Sequence, residues 1–442
     1  MKNTERYEVA KFGGWSLANG ERTKSAMDYV KANSDIHYVV PSAPGFVNKD
    51  DRKVTDHLID LTEAKKLGNS YQDFLGAVNT RFMKIADFLG YHDMGRLLSE
   101  LEEGVARGKT DAWIISRGED INGRMWADFL DYCFVDPTEL IKFRKDGQLD
   151  ERSYHQIGSR LKRRDRYVIP GFFGLGADGE VQVFPRDGSD ITAAYIARGI
   201  HASIYRNLTS TNGILSADPE IVKDARRIET MIFEEARELG NGGLKVLHRD
   251  AIIPCMQAGI DINVCCSEDP ESPGTKIVVS RLSKANEGVI GIAGKAGFAS
   301  LFFHKVGMEE DMGIASRILR AIKKNGIPIS YIHTNTDDMS VIFSEQQLIG
   351  DREDKIKEEI GKLRPTEMVV KRGISVLSAV GQGLRENGSK VSAQLTTALN
   401  DVSIEHGITY ISRSIIVRAF LEDSGRLNDA IKEAHKALIE DR

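Results

Sequence analysis

The chain has 442 residues, about three times a typical single domain, so we expect two or three domains. Hydrophobic residues make up 41% and charged residues 28%, which is typical of a globular protein, and the formal net charge of -5 argues against a nucleic-acid-binding surface. The amino terminus is too polar for a signal peptide, and the four cysteines are too irregularly spaced for a disulfide framework or a zinc site. No apolar run reaches the roughly 20 residues that span a membrane, so we expect a cytoplasmic protein.

Residues 6 to about 280 alternate apolar runs with amphipathic stretches, which predicts one doubly wound α/β domain. Strands are predicted at Tyr7–Phe12, Ile36–Val40, Ala112–Ser116, Tyr167–Phe172, Val181–Phe184 and Ser203–Leu208. Helices are predicted from Asn19 through Val30 and at Val54–Lys66, Ile121–Tyr132, Arg152–Arg163, Ile191–Ile200 and Phe233–Leu239. Residues 67–110 contain no convincing strand, so we interpret them as a helical insertion.

After about residue 285 the pattern changes to two similar βαββα units that lie about 75 residues apart. The first unit has predicted strands at 299–306, 327–334 and 339–344 and predicted helices at 313–325 and 351–363. The second has predicted strands at 373–380 and within 408–421, a helix through Ala393–Leu399 and a terminal helix near Asp429–Ile439. This repetition predicts a duplicated small module, with a boundary in the Ser283–Gly288 stretch.

A first candidate site lies where the opening strand ends and the first helix begins, at Lys11-Phe12-Gly13-Gly14. Two glycines there allow backbone N–H groups to approach a phosphate closely. A lysine at this point can supply a positive charge to a transferring phosphoryl group. The alternative interpretation is an ordinary tight turn after a strand.

Further polar motifs follow other predicted strands, at Ser42–Gly45, Lys53–Asp56, Ser116–Glu119 and Arg186–Ala193. Because ligands bind at the carboxyl ends of strands in open α/β sheets, we expect these motifs to converge. Arginine can hold a carboxylate with two hydrogen bonds, and acidic side chains can hold an ammonium group. The alternatives are helix capping by Thr55 or Asp56, and surface salt bridges for the charged residues.

A polar, glycine-containing loop at Thr209–Pro219 is followed downstream by Lys245-Val-Leu-His248. A loop of this kind followed by a lysine is compatible with binding of a nucleotide. His248 has no other His or Cys at ligand spacing, so we interpret it as a structural histidine.

The ordered set of motifs resembles the aspartate kinases of the amino-acid kinase superfamily. That family opens with Lys-Phe-Gly-Gly-Thr-Ser, and this chain has Lys11–Ser16. The other motifs similar to the family's are, in order, Ser42–Gly45 with Thr55, Ser116–Glu119, Arg186–Ala193, Ala217–Pro219, Lys245–His248 and Pro270–Thr275. The resemblance spans nearly the whole chain, and the ordered set is more specific than any single motif.

The resemblance implies an enzyme that transfers the γ-phosphoryl group of ATP, with Mg²⁺, to the β-carboxylate of L-aspartate, the first step of lysine, threonine and methionine biosynthesis. It implies that Lys11 stabilises the transferring group and that Asp190 orients Lys11. The residues implied to bind the amino acid are Thr55, Glu119, Phe172, Arg186, Ser189 and Asp190. The residues implied to lie near the nucleotide are Lys11, Gly13, Gly14, Ser42, Gly45, Thr209, Ser210 and Lys245. No residue is assigned as a metal ligand.

For the fold, the resemblance implies an amino-acid-kinase-like parallel-sheet sandwich followed by two ferredoxin-like βαββαβ ACT modules. The implied domains are 1–285, 286–364 and 365–442, with residues 288–297 adding a strand to the second module. A feedback amino acid, lysine or threonine, is implied to bind the first module near Met308, Asp311, Gly313, Thr334 and Asn335. The alternative is that these residues only build the module. We also expect a homodimer or tetramer.

Six residues depart from the family pattern. Trp15 replaces a small hydroxyl residue, Pro185 and Asp187 flank the motif arginine where glycine is usual, Ser210 and Asn212 replace two carboxylates, and Glu220 replaces an arginine. Two alternatives therefore stay open: a kinase of the same fold for another amino acid or carboxylate, and a catalytically weakened regulatory paralogue that binds amino acids.

Overall fold

The computed structural model describes residues 6–162, 164–185, 187–281 and 288–440. The chain divides into two compact units. The first unit comprises Met1–Ile214, Arg227–Arg237 and Val246–Leu282, and the second comprises Leu215–Arg226, Glu238–Lys245 and Ser283–Arg442. None of the helices in the described ranges is long and apolar enough to cross a membrane.

An eight-stranded sheet forms the centre of the first unit. In chain order the strands of this unit are β1 (Glu8–Phe12), β2 (Ile36–Pro41), β3 (Cys133–Phe134), β4 (Tyr167–Val168), β5 (Phe173–Leu175), β6 (Val181–Val183), β7 (Ile204–Thr209), β8 (Thr230–Ile232), β9 (Ile262–Cys266) and β10 (Thr275–Val278). The strand order is β3-β4-β2-β1-β7-β9-β10-β8, while β5 and β6 form a separate antiparallel pair. Only the β9–β10 pairing is antiparallel among the described strands of the large sheet.

Helices cover both faces of this sheet. They are α1 (Gly20–Ala32), α2 (Val54–Lys66), α3 (Gln72–Leu89), α4 (Met94–Ala106), α5 (Asp111–Leu130), α6 (Pro137–Leu140), α7 (Arg152–Arg160), α8 (Gly188–Ile200), α9 (Phe233–Asn241) and α10 (Arg249–Ala258). Helices α1 to α5 share one core with Ala10, Phe12 and Leu208. Since alternate strand residues face opposite sides, the neighbouring Lys11 points to the other face, where α8 packs on β1 and β7. The predicted sandwich is confirmed.

One predicted strand in this unit is wrong. Ala112–Ser116 belongs to α5, which is capped by Thr110, whose Oγ1 accepts a hydrogen bond from the Trp113 amide at 3.3 Å. A short apolar run does not distinguish a strand from a buried helix, and the cap was the informative signal. As a correction, Ser116–Glu119 lies in the middle of a helix and not at the end of a strand. The predicted α2 and the helical insertion, now α3 and α4, are confirmed.

The second unit is built on a six-stranded antiparallel sheet of order β12-β13-β11-β14-β16-β15. Its strands are β11 (Gly291–His304), β12 (Tyr331–Thr334), β13 (Asp338–Ser344), β14 (Glu367–Val380), β15 (His406–Tyr410) and β16 (Ile416–Leu421). Its helices are α11 (Ile314–Lys324), α12 (Arg352–Gly361), α13 (Leu384–Asp401) and α14 (Leu427–His435), which a π-helical turn at Lys436–Glu440 follows. In chain order these elements make two βαββα units, as the repeat predicts.

The long strand β11 serves both halves of this sheet. Residues 291–295 pair with 376–380 of β14, whereas residues 298–304 pair with β13 as well. Two separate cores result, one under α11 and α12 and the other under α13 and α14. Residues 282–287 lie outside the described part of the chain, so the boundary expected at Ser283–Gly288 and the domain limits stay predictions.

A buried histidine joins the end of the second unit to its first segment. His435 is fully buried, and its Nε2 lies 2.8 Å from Ser216 Oγ while its Nδ1 lies 2.7 Å from Glu440 Oε1. The same hydroxyl oxygen accepts a hydrogen bond from the Arg226 amide at 3.0 Å. Ser216 therefore connects two parts of the chain that are 219 positions apart.

We expect Ser216→Ala to destabilise the second unit by about 1–3 kcal/mol, because it leaves a buried imidazole nitrogen and a backbone amide without their partner. Hydrogen exchange measured by mass spectrometry should show faster exchange in residues 215–226. Ser316→Ala is the control, because that exposed hydroxyl bonds only to the nearby Gly313 carbonyl. Equal exchange in the two variants would contradict the structural role of Ser216.

Candidate functional site

An ion pair joins the end of β1 to the start of α8. Lys11 Nζ lies 2.6 Å from Asp190 Oδ1, and the two side chains are only 10% and 15% exposed. Asp190 stands in the first turn of α8, where its amide donates to the Asp187 carbonyl at 3.0 Å. The lysine and the aspartate of two separate motifs are thus brought into direct contact.

Two glycine turns pack against each other beside this ion pair. The Gly45 amide donates to the Gly14 carbonyl at 2.8 Å, and a Cβ added to Gly45 would lie 2.5 Å from the Gly14 carbonyl carbon. A Cβ on Gly13 would lie 3.4 Å from Lys11 Nζ, which places the ammonium group at the turn. The Gly13 amide is already bound, because it donates to the Leu208 carbonyl at 3.0 Å. Any side chain at Gly45 would push the two turns apart.

The loop at Ser42–Gly45 is held from two directions. The Ser42 amide donates to the Phe12 carbonyl at 3.1 Å, and Asn122 of α5 donates from Nδ2 to the Ser42 carbonyl at 2.6 Å. The amide of Val54 donates to a carbonyl of the same loop, Pro44 O, at 3.1 Å. This places Thr55, the second residue of α2, next to the loop. The N-cap of α2 is Lys53, so Thr55 is not the capping residue.

Glu119 of α5 lies beside the same loop. A Cβ on Gly118 would be 2.9 Å from the Ala43 Cβ, which shows how closely the helix packs there. Glu119 is 4% exposed and its Oε2 has no hydrogen-bond partner. Burial raises the pKa of Glu119 to about 8. Hydrogen bonds from the Ala43 amide and from its own amide lower the pKa, but the effect of burial is larger. At neutral pH without a ligand, this carboxyl group is therefore mostly protonated.

The buried charges next to Glu119 are paired. Arg117 Nη1 lies 2.8 Å from Asp120 Oδ2, and Arg124 Nε lies 3.0 Å from the same oxygen. The Arg117 guanidinium also lies 4.6 Å from the Trp113 ring centroid. Within the described ranges, Glu119 has no cation at ion-pair distance, so it is the one carboxyl group of this helix segment available to a positively charged ligand.

Phe172 has a strained backbone next to the start of α8. Its φ of 78° is in the left-handed region, its amide meets Thr192 Oγ1 at 3.3 Å, and its carbonyl accepts from the Phe184 amide at 2.9 Å. A Cβ on Gly171 would lie 2.5 Å from Ser189. A strained residue held by its neighbours often marks a binding site. Phe172 and Ser189 are thus adjacent to Asp190, whereas Arg186 lies outside the described residues.

The residues expected near the nucleotide are distributed over both units. Thr209 ends β7 beside the glycine turn, and its carbonyl accepts from the Ser267 amide at 2.8 Å. Ser210 follows it and is exposed. Lys245 is exposed in an irregular segment of the second unit. The expected place of Lys245 in the nucleotide site therefore stays a prediction.

Trp15, the departure closest to the glycine turn, is packed against two neighbours. The Arg22 guanidinium carbon lies 3.6 Å from its ring centroid, and the Phe46 ring lies 5.8 Å away with edge-on geometry. These contacts give the indole ring a defined position beside the turn.

Asn207 of β7 belongs to the site although it is part of none of the sequence motifs. Its Nδ2 donates to Asp190 Oδ1 at 2.8 Å, so it contacts the central ion pair. The available signal was a polar amide inside a buried strand, since asparagine is depleted in strands.

The residues expected to bind a feedback amino acid lie in two adjoining loops of the second unit. Met308 is buried in a short helical turn, Gly313 is the N-cap of α11 with φ 93°, and Thr334 ends β12, with Asn335 following. Asp311 is already paired, with Lys305 Nζ at 3.1 Å and with Arg317. The hydrogen bond from Lys305 holds the pKa of Asp311 below its usual range.

Comparison with known proteins relates the whole chain to one group of enzymes. The sequence model of the Amino acid kinase family matches residues 6–266. Aspartokinase 3 of Bacillus subtilis is 31% identical over 416 residues, which cover 90% of this chain and 91% of that protein.

Solved structures agree with this relationship. The crystal structure of Clostridium acetobutylicum aspartate kinase has a TM-score of 0.86 and 30% identity, with coverage of 98% of this chain and 100% of that one. Escherichia coli aspartokinase III, at 22% identity, shares the fold. Its complex with aspartate and ADP has a TM-score of 0.78 and its complex with lysine and aspartate has one of 0.70, each covering 98% of this chain and 99% of that one.

We expect Glu119→Gln to stabilise the ligand-free protein, with a gain that grows as the pH rises. The native pKa of about 8 is above the ordinary value of 4.5, so the folded state retains a proton that the unfolded state has lost between these pH values. Wild-type stability should therefore fall from about pH 5 to about pH 8, while glutamine removes this loss. Thermal unfolding measured across this range tests it.

The control is Glu103→Gln, since Glu103 is an exposed partner of Arg107 on α4. The difference in unfolding temperature between Glu103→Gln and the wild type should stay constant over the same pH range. A parallel pH dependence in the wild type and Glu119→Gln would show that Glu119 is ionised in the folded protein.

Proposed function

The chain belongs to the aspartokinases of the amino acid kinase family, and we propose that it transfers the γ-phosphoryl group of ATP to the β-carboxylate of L-aspartate. The observation that carries this proposal is the Lys11–Asp190 ion pair at the glycine turn, 2.6 Å long and largely buried. The product is an acyl phosphate, 4-phospho-L-aspartate. The Bacillus subtilis and Clostridium acetobutylicum enzymes support the assignment, since each is at least 30% identical over nearly the whole chain.

This reaction requires no general base. The accepting carboxylate has a pKa of roughly 4 and is already ionised at neutral pH. The enzyme must align this anion with an anionic phosphate and reduce their repulsion. A fixed positive charge close to the phosphate accomplishes the second task, and a pocket that holds both ends of the amino acid accomplishes the first.

Lys11 supplies the positive charge. Its ammonium lies at the Gly13 turn, so a phosphate that approaches this turn meets the charge at short range. Asp190 limits the positions that the flexible lysine side chain can adopt, which lowers the entropy lost when the phosphoryl group is bound. Ser42 and Gly45 keep the second turn in contact with the first, through the hydrogen bonds to Phe12 and Gly14.

The amino acid binds beside the Ser42–Gly45 loop and the Lys11–Asp190 ion pair. Glu119 receives its ammonium group, because that carboxyl group is buried and has an oxygen without a partner. Asp190 offers a second carboxylate to the same ammonium, Thr55 binds the side-chain carboxylate, and Phe172 with Ser189 closes the pocket wall. Arg186 holds the α-carboxylate.

When bound with the nucleotide, Mg²⁺ would supply positive charge at the phosphate oxygens. Among the described residues no group of three or more His, Cys, Asp or Glu side chains could hold a metal ion, and magnesium commonly binds through substrate phosphates and water. Thr209 and Ser210 of the first unit are the proposed contacts to the nucleotide, and a contact from Lys245 stays a prediction. The side chains of this chain would then bind and orient the nucleotide and the amino acid.

Feedback control is proposed for the second unit, by lysine or threonine bound near Met308, Gly313 and Asn335. Its two repeated βαββα units support this proposal, as does the solved complex of Escherichia coli aspartokinase III with lysine and aspartate. A homodimeric or tetrameric assembly and a cytoplasmic location stay predictions.

We expect ADP release with Mg·ATP and L-aspartate, and trapping of the acyl phosphate by hydroxylamine as a hydroxamate. Lys11→Met should lower kcat by about 10²–10³-fold, because it removes a charge aligned with the transition state. Lys24→Met is the matched control, since Lys24 pairs with Asp28 on an exposed helix face, and it should retain wild-type kcat. Addition of lysine or threonine to the same assay identifies the inhibitor.

Other outcomes distinguish the alternatives. Equal turnover with another amino acid or carboxylate would indicate a kinase of the same fold with a different substrate. No turnover together with no ATP binding by calorimetry would indicate a regulatory paralogue.

Binding of L-aspartate at pH 7 should release a proton. The substrate ammonium lowers the pKa of Glu119 from about 8, so the carboxyl group ionises when the ligand binds. Affinity should therefore rise with pH up to about 8. Calorimetry in two buffers with different ionisation enthalpies measures the number of protons released, from the difference between the two binding enthalpies. In Glu119→Gln this difference should disappear. Proton-neutral binding by the wild type would exclude Glu119 as the ammonium ligand.

A further inference from the structure

Asn207 is the buried amide that contacts the central ion pair. We propose that Asn207 is a positioning residue for phosphoryl transfer, which holds the Asp190 carboxylate so that Lys11 stays aligned. This inference rests on the proposed kinase function and extends it to a residue outside the recognised motifs.

The strand register places Asn207 beside Lys11. β7 runs parallel to β1, and in that pairing Asn207 is the partner of Lys11. Partners in adjacent strands have side chains on the same face of the sheet. Asn207 is 3% exposed. Burial of an amide at the centre of a sheet is unfavourable unless its hydrogen bonds are made.

Both N–H groups of the Asn207 amide are used. Nδ2 donates to Asp190 Oδ1 at 2.8 Å and to the Tyr205 hydroxyl oxygen at 3.0 Å. Tyr205 is fully buried, and burial raises its pKa well above the usual value, so the hydroxyl is neutral. It donates in turn to the Asp190 carbonyl at 3.4 Å. These contacts determine which way the amide faces, because only its NH₂ group can donate to a carboxylate.

One oxygen of Asp190 therefore receives two donors. Lys11 Nζ lies 2.6 Å and Asn207 Nδ2 lies 2.8 Å from Oδ1. With Oδ1 held from the strand side, Oδ2 is left for the substrate ammonium. Without the amide, the carboxylate can rotate toward that ammonium and draw Lys11 away from the phosphate. Asn207 thus separates the two tasks of Asp190, which are holding the lysine and binding the substrate.

Asn207→Leu removes both N–H groups at similar volume. We expect kcat to fall about 10- to 100-fold, while KM for ATP and for aspartate changes by less than about threefold, because alignment of Lys11 matters most in the transition state. The hydroxamate assay provides these constants. If Asn207 were only structural, its replacement would lower the unfolding temperature and leave kcat of the folded enzyme unchanged.

Asn207→Asp is a second variant of nearly the same shape. It places a second carboxylate against Asp190, and two adjacent carboxylates do not ionise independently. While the pair shares a proton, the new side chain can still donate to Asp190. When both groups are ionised they repel each other and neutralise Lys11. We expect kcat to fall as the pH rises between about 6 and 9, with no such fall in the wild type.

Asn263→Asp is the matched control. Asn263 lies on the next strand, β9, is 4% exposed, and donates from Nδ2 to the Pro273 carbonyl at 2.9 Å, away from the ion pair. It should lose stability and keep the pH profile of the wild type.

The outcomes separate the two proposals. A wild-type enzyme that forms no hydroxamate overturns the kinase function and the role of Asn207 with it. A wild type that turns over, with both Asn207 variants within about twofold of its kcat at every pH, overturns the positioning role alone. If Asn207→Leu does not fold, the pH profile of Asn207→Asp decides.

Discussion

The contact between Lys11 and Asp190 is the constraint on which the arrangement of the site depends. Taking two charges out of water costs free energy, and loss of either partner leaves an unpaired buried charge. β1 must therefore end, and α8 must begin, at fixed positions on one face of the sheet. The turn after β1 keeps the lysine nitrogen close to the backbone, since a Cβ on Gly13 would lie 3.4 Å from it, an ordinary contact distance.

Glu119 is the opposite case, a buried acid kept without a counter-charge. Its neighbours Arg117 and Asp120 are paired with each other, so the protein can pair charges in this helix. A buried carboxyl group without a counter-charge lowers the stability of the folded protein. Groups of this kind are typical of binding and catalytic sites, where ligand binding is favoured at the expense of stability. The ligand that relieves it must bring a positive charge, which an amino-acid ammonium does.

The sequence was sufficient for the fold class, and the motifs that follow strands β1 and β2 directly lie against each other in the structure, as the Gly45–Gly14 hydrogen bond shows. It failed where local signals were ambiguous. The apolar run at Ala112–Ser116 fits a strand as well as a helix, and the signal that distinguishes them, the Thr110 cap of α5, lies outside the run. The short strands β8 to β10 have too few residues to show a period. Asn207 carries no motif, and its importance arises from its register with Lys11, which the sequence does not contain.

Three departures from the family pattern in the first unit partly compensate for one another in charge. Asp187 adds a carboxylate at the start of α8, where anionic ligands are expected, and it is exposed. Ser210 and Asn212 stand where the family has two carboxylates, and Asn212 Oδ1 instead accepts a hydrogen bond from Ser272 at 2.8 Å. Across the first unit the substitutions at these three positions therefore remove two negative charges and add one. An exposed charge is screened by water and salt, so the added carboxylate repels a phosphate weakly. Glu220, in the second unit, stands where the family has an arginine and is exposed, so its charge is screened in the same way. Trp15, held by Arg22 and Phe46, changes the shape beside the glycine turn and not its charge.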